Sequence, residues 1–96
     1  MRMLIKADGT EVPLSRPHKV DEICKLIGAK ILDTVTLIDR RHVMIVNDLG
    51  HRIGLPVNEK ATAHYHAKCR PGSNPPPIVG DVAIVPDEDF ADEDWL

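Results

Sequence analysis

The stretch Gly54–His66, GLPVNEKATAHYH, decides how this chain is built, because β-type patterning stops there and helix-type patterning takes over. Pro56 has no N–H for a strand ladder and ends whatever strand precedes it. Asn58 is a favoured N-cap residue, and Glu59 sits where a carboxylate complements the positive end of a helix. EKATAHYHAKC continues with good helix formers, so a helix is predicted over about 59–69. On a wheel of about 100° per residue, Ala61, Thr62, Tyr65 and Cys69 form the stripe assigned to the core, with Lys60, Ala63, Ala67 and Arg70 opposite. His64 and His66 are about 200° apart on that wheel and cannot chelate one ion from a regular helix.

Upstream, Lys30–Val46 is rich in Ile, Val, Thr and Leu and breaks at DRRH, Asp39–His42, which reads as a hairpin turn between two strands. NDLG, Asn47–Gly50, suits a type I turn with a glycine bulge, and His51–Leu55 is then predicted as a short third strand. SRPHKVDEICKLIGA, Ser15–Ala29, offers Ser15 as N-cap, Pro17 in the first turn, Val20, Ile23, Cys24 and Ile27 at helical spacing, and Gly28 as a stop. Asp8-Gly9 between two apolar runs marks a hairpin that pairs residues 2–7 with 10–14. Downstream, Arg70–Asp81 is a proline-rich, semi-rigid connector, and DVAIVP, Asp81–Pro86, is the last buried strand. The expected fold is α+β in the order ββαβββαβ: a single mixed or antiparallel sheet with two helices on one face.

Ninety-six residues suit one domain, here 1–86, followed by an acidic C-terminal tail, 87–96. The net charge of −3 hides this asymmetry, because six of the fifteen acidic residues lie in the tail and all twelve Lys and Arg lie before it. Such a block of like charge is most simply a solvated tail, and it is also a common interaction segment. Tyr65, Phe90 and Trp95 are the whole aromatic complement, too few for the stacking platforms of single-stranded nucleic-acid binders. Direct nucleic-acid binding is therefore not expected, although Arg40, Arg41, His42, His51 and Arg52 are read as one basic patch at adjacent turns. No stretch approaches the ~18 apolar residues of a membrane span, and Met1–Thr10 lacks the apolar core of a secretion signal. With Cys24 and Cys69 read as reduced, small apolar residues, the expected location is the cytoplasm.

Several pieces together, IKADGTEVPL, VNDLG, GLPVNEKAT and PIVGDVAIV, resemble a family of small uncharacterised phage- and plasmid-borne proteins, the domain of unknown function thirty-eight forty-six. The resemblance runs roughly from Leu4 to Val85, with GLPxNxxAT and IxGDVxIV as its most specific parts. It implies a mobile-element setting and an accessory role, and it carries no catalytic residue. HYHAKCR, PGSNPPP and the tail DEDFADEDWL depart from the family pattern.

The chemistry legible in the residues favours binding over catalysis. His51, Arg52, Gly54, Asn58, Lys60 and Thr62 surround the expected start of the second helix, where free amides, the helix dipole and cationic neighbours suit a phosphate or carboxylate. The plainer reading of the same residues is a cap, a bulge and a strand stop. The first functional expectation is a non-enzymatic accessory binder of a small phosphorylated or nucleotide ligand, used in counter-defence. The second is a protein-binding inhibitor of a host nucleic-acid-handling or defence complex, in which Asp87, Glu88, Asp89, Phe90, Asp92, Glu93, Asp94 and Trp95 imitate phosphates. A small metal-dependent enzyme is the third, weighed down by the absence of HExxH, CxxC, GxSxG or P-loop spacing. No cofactor is expected, and exposed edge strands make a homo-oligomer conceivable.

Overall fold

The computed structural model describes residues 2–69 and 72–90. The elements follow as β1 Met3–Ile5, β2 Glu11–Pro13, α1 Val20–Ile27, β3 Leu32–Thr36, β4 His42–Asn47, α2 Glu59–Lys68, β5 Val82–Pro86 and a single 3-10 turn, Asp87–Phe90. All five strands join one antiparallel sheet in the order β2-β1-β5-β4-β3. The class is α+β, with one sheet and two helices, as the sequence reads.

The helices lie on opposite faces of that sheet, which corrects the expectation of one covered face. Alternate residues of each strand feed two separate cores. Leu4, Val43, Ile45, Ala83 and Val85 pack with Ile23 and Ile27 of α1. Their neighbours Ile5, Met44, Val82 and Ile84 pack with Ala61 and Tyr65 of α2. The physical reason is visible in β5, where Val82, Ala83, Ile84 and Val85 are all buried in succession. A strand covered on one side alternates apolar and polar residues, whereas one covered on both sides is continuously apolar. Val43, Met44 and Ile45 of β4 show the same run.

Two local readings also change. Helix α1 begins at Val20 with Lys19 as N-cap, four residues after the expected Ser15. Pro17 disfavours helical geometry at Arg16, and Glu22 reaches back to accept the Lys19 N–H at 3.2 Å, which fixes the start further on. The third strand expected at His51–Leu55 is replaced by consecutive turns, with Gly54 at φ 73°. Leu49 accepts the Ile53 N–H, and Gly50 accepts that of Leu55. What remains of strand pairing there is a single bridge between Val57 and Val79.

A candidate groove at the β3–β4 turn

Asn58 joins three parts of the molecule. Its Oδ1 accepts the Ala61 N–H at 3.0 Å and caps α2, while its Nδ2 donates to the carbonyls of Ile5 at 3.0 Å and Gly80 at 2.9 Å. The side chain is fully buried. Its backbone N–H donates to Ile78, and its carbonyl accepts both the N–H and the hydroxyl of Thr62. Thr62 Oγ1 in turn accepts the Ile78 N–H at 2.9 Å. The hydrogen-bonding groups of Asn58 and Thr62 are thus committed to tying α2, β1 and the segment before β5 together.

The other residues expected around this helix start are dispersed. Lys60 donates to the Gly9 carbonyl at 2.8 Å and pairs with Glu11 at 3.0 Å, so its charge is shared with the β1–β2 hairpin. The groove beside it, about 300 Å³, is lined partly by Asp8 and Glu59, whose carboxylates repel an anion. His51, Arg52 and Gly54 are exposed on the turns between β4 and α2. They stand at one end of β4, and Arg40, Arg41 and His42 stand at the other. The five steps of that strand, at about 3.4 Å each, separate the two groups by roughly 17 Å. The single basic patch read from the sequence is therefore two. The histidines of α2 do not converge either: His64 borders a shallow groove with Glu11 and Lys60, and His66 leans towards the Tyr65 ring. Among the described residues, no group of three or more His, Cys, Asp or Glu is placed to hold a metal ion. Cys69, half-buried, donates its thiol to the Tyr65 carbonyl.

A groove of about 570 Å³ lies at the β3–β4 turn and is lined by Arg40, Arg41, His42, Pro86, Asp87 and Glu88. One aspartate organises its basic wall. Asp39 accepts the N–H groups of Arg41 at 2.9 Å and His42 at 3.0 Å, and its second oxygen meets His42 Nδ1 at 2.6 Å. These donors, led by the Arg41 amide and then the His42 ring, hold the Asp39 carboxyl down at about 2. Arg40 sits in the left-handed region at φ 59°, an uncommon state for a residue with a Cβ. The acidic wall is docked by backbone and ion pair: the Asp87 N–H donates to the Arg41 carbonyl at 2.7 Å, and Arg2 grips Asp89 through two bonds of 2.8 Å. Asp87 and Glu88 remain exposed. The readings made for the Phe90 side chain and for Asp92, Glu93, Asp94 and Trp95 lie outside the described residues. Sequence reasoning identified DRRH as a turn but missed its pairing with Asp87 and Glu88. The only local signal was an aspartate at the first turn position, a residue that often caps the amides behind it.

Fold and groove define a small antiparallel-sheet domain with a mixed-charge cleft at one end of its central strands. Residues 1–94 match the family model described as Domain of unknown function (DUF3846), and the chain belongs to that family. No curated protein and no solved structure matches it. Among the described residues, no helix is long and apolar enough to cross a membrane.

Proposed function

We propose that this protein is a non-enzymatic accessory binding protein of a phage or plasmid, sequestering a small nucleotide-type ligand in the host cytoplasm as counter-defence. The ligand lies in the groove between the β3–β4 turn and the 3-10 turn. The observation that carries this reading is that Arg40 and Arg41 line one groove together with Asp87 and Glu88, and that its roughly 570 Å³ is within the usual range of small-molecule sites. Guanidinium groups take phosphate oxygens in a bidentate manner, and carboxylates accept the exocyclic amines and ring N–H groups of a base. A nucleotide carries both partners in one molecule. Asp39 holds the turn in shape beforehand, which lowers the entropy lost on binding. The mobile-element setting rests on the family resemblance, and the preference for binding over catalysis rests on the lack of HExxH, CxxC, GxSxG or P-loop spacing in the sequence.

Isothermal titration against mono-, di- and cyclic nucleotides tests the reading. At least one is expected to bind, with affinity falling ten-fold or more in Arg41→Ala and in Asp87→Asn. No binding by any nucleotide, or binding indifferent to both substitutions, defeats it.

A second reading, inhibition of a host protein complex through the acidic segment, is supported by the way Arg2 fixes Asp89 while Asp87 and Glu88 face outward. A pull-down from host lysate with Arg2→Ala and with residues 91–96 removed addresses it. Identical captured proteins in all three samples would exclude the segment.

A further inference from the structure

Strands β2 and β3 are the two edges of the sheet, and they are protected unequally. Edge strand β2 is only three residues long and contains Pro13, both common devices against further pairing. Edge strand β3, Leu32–Thr36, LDTVT, has five residues and no Pro, Gly or Lys. Its hydrogen-bonding parity follows from its two ends. The Asp48 N–H donates to the Ile31 carbonyl, and the Leu37 N–H donates to the His42 carbonyl. Antiparallel bonding alternates along a strand, so residues 31, 33, 35 and 37 bond β4, and the N–H and C=O groups of Leu32, Thr34 and Thr36 point away from the sheet. Two large apolar side chains flank this row, Ile31 and Ile38, which are 51% and 67% exposed.

We propose that the outer edge of β3 pairs with β3 of a second copy of this chain, antiparallel about a two-fold axis at Thr34. The strand is self-complementary in that register. Thr34 meets Thr34 of the second copy, Leu32 meets Thr36, and Ile31 comes opposite Leu37 on the face that α2 covers. A register centred on the middle residue overlaps all five residues of the strand, and a one-step shift towards the N-terminus sets Asp33 against its own copy. The two sheets then continue as one of ten strands. Asp33 acts as a brake. Its Oδ1 accepts the Thr34 N–H at 2.8 Å, so the carboxylate swings aside before that amide can serve the second copy. One pair of five-residue strands makes a small interface, and the dimer is correspondingly weak and concentration-dependent.

Sedimentation equilibrium of the full chain between about 1 μM and 1 mM reads the association, a range chosen to suit an interface below standard size. The mass is expected to rise from the 10.7 kDa of one chain towards twice that value. Thr36→Pro removes an outward N–H that β4 does not use, and it is expected to weaken association ten-fold or more while circular dichroism stays unchanged. Asp33→Ala removes the brake and is expected to strengthen association at least three-fold. Amide exchange in the unaltered chain supplies a readout free of folding defects: the Leu32 and Thr36 amides gain protection as concentration rises. A monomer at every concentration overturns the proposal. A dimer indifferent to both substitutions, or one whose Leu32 and Thr36 amides exchange as fast as in the monomer, overturns it equally. None of these variants alters Arg41, Asp87 or Glu88, so failure here and failure of the nucleotide reading are separate results.

Discussion

Substituting Asn58 distinguishes a helix cap from a three-way tie. Asn58→Ala deletes three buried hydrogen bonds, leaving the Ile5 carbonyl, the Gly80 carbonyl and the Ala61 N–H without their side-chain partner. Each buried group stranded in this way costs about 1–3 kcal/mol, and partial hydration of the new space recovers some of it, for a net loss of about 3–5 kcal/mol. That is a large part of the ~5–15 kcal/mol by which a domain of this size is stable. At about 4–8 °C per kcal/mol, the melting temperature falls by roughly 12–40 °C. Asn58→Asp is the sharper test. At an ordinary N-cap, Asp is as good as Asn and gains from the helix dipole. Here it keeps the Oδ1 cap but turns a second carboxylate oxygen towards two carbonyl oxygens in a fully buried site. Loss of both donor bonds and burial of a charge make it at least as damaging as Ala. Urea titration followed by circular dichroism measures both variants. An Asn58→Asp protein within about 1 kcal/mol of the parent refutes the reasoning, because a typical N-cap accepts either residue.

Gly80 holds φ 78°, so Gly80→Ala is expected to lose about 1–2 kcal/mol in the same titration, with Leu55 yielding to the added methyl. Arg40→Gly relaxes a left-handed residue and is expected to raise stability by up to about 1 kcal/mol while weakening nucleotide binding. Loss of both stability and binding would show that Arg40 supports the turn rather than the ligand. Asp39 and Glu22 are each held at about 2 in the fold, below their ordinary 3.8 and 4.5. A depressed carboxyl stabilises fully above its ordinary value and loses that contribution as the pH falls through the folded one. Melting temperature should therefore decline between about pH 4.5 and pH 2, and the gap between the parent and Asp39→Ala should close between about pH 3.8 and pH 2. A gap that stays constant with pH would exclude the carboxylate as its source.

The elements were legible wherever local chemistry decides them. Asp8-Gly9 gives the first hairpin, and Gly28, left-handed at φ 69°, stops α1 as read. The buried run VAIV lies in the central strand, Val82–Pro86. The placement of the helices was recoverable in principle, because VMI in β4 and VAIV in β5 lack the alternation that a half-exposed sheet requires. Helix α2 hid the answer. Its inward stripe is Ala61 and Tyr65 with a threonine, too thin to announce that it covers a whole sheet face. The missing strand at His51–Leu55, placed only from the NDLG turn before it, had no comparable signal, and its one β-branched residue, Ile53, is 61% exposed.

The candidate site was legible residue by residue and illegible as an arrangement. An asparagine before a helix reads the same in sequence whether it waits for a ligand or binds the protein itself. The difference lies in Ile5 and Gly80, which stand 53 and 22 positions away along the chain. A small domain with few aromatics has little apolar surface with which to fix its segments, so buried polar ties of this kind carry a larger share of its specificity. At the β3–β4 turn the balance runs the other way. Arg40 occupies a backbone state that glycine would fill with less strain, and two guanidinium groups adjoin two exposed carboxylates without a close ion pair between them in the described contacts. A left-handed residue after the turn serves the hairpin itself, whereas guanidinium and carboxylate charge left without a close ion pair is a feature that a purely structural hairpin has no need of. The Arg40→Gly experiment therefore bears on more than one residue: a variant that gains stability and loses its ligand would place function at the end of the molecule where the fold is least economical.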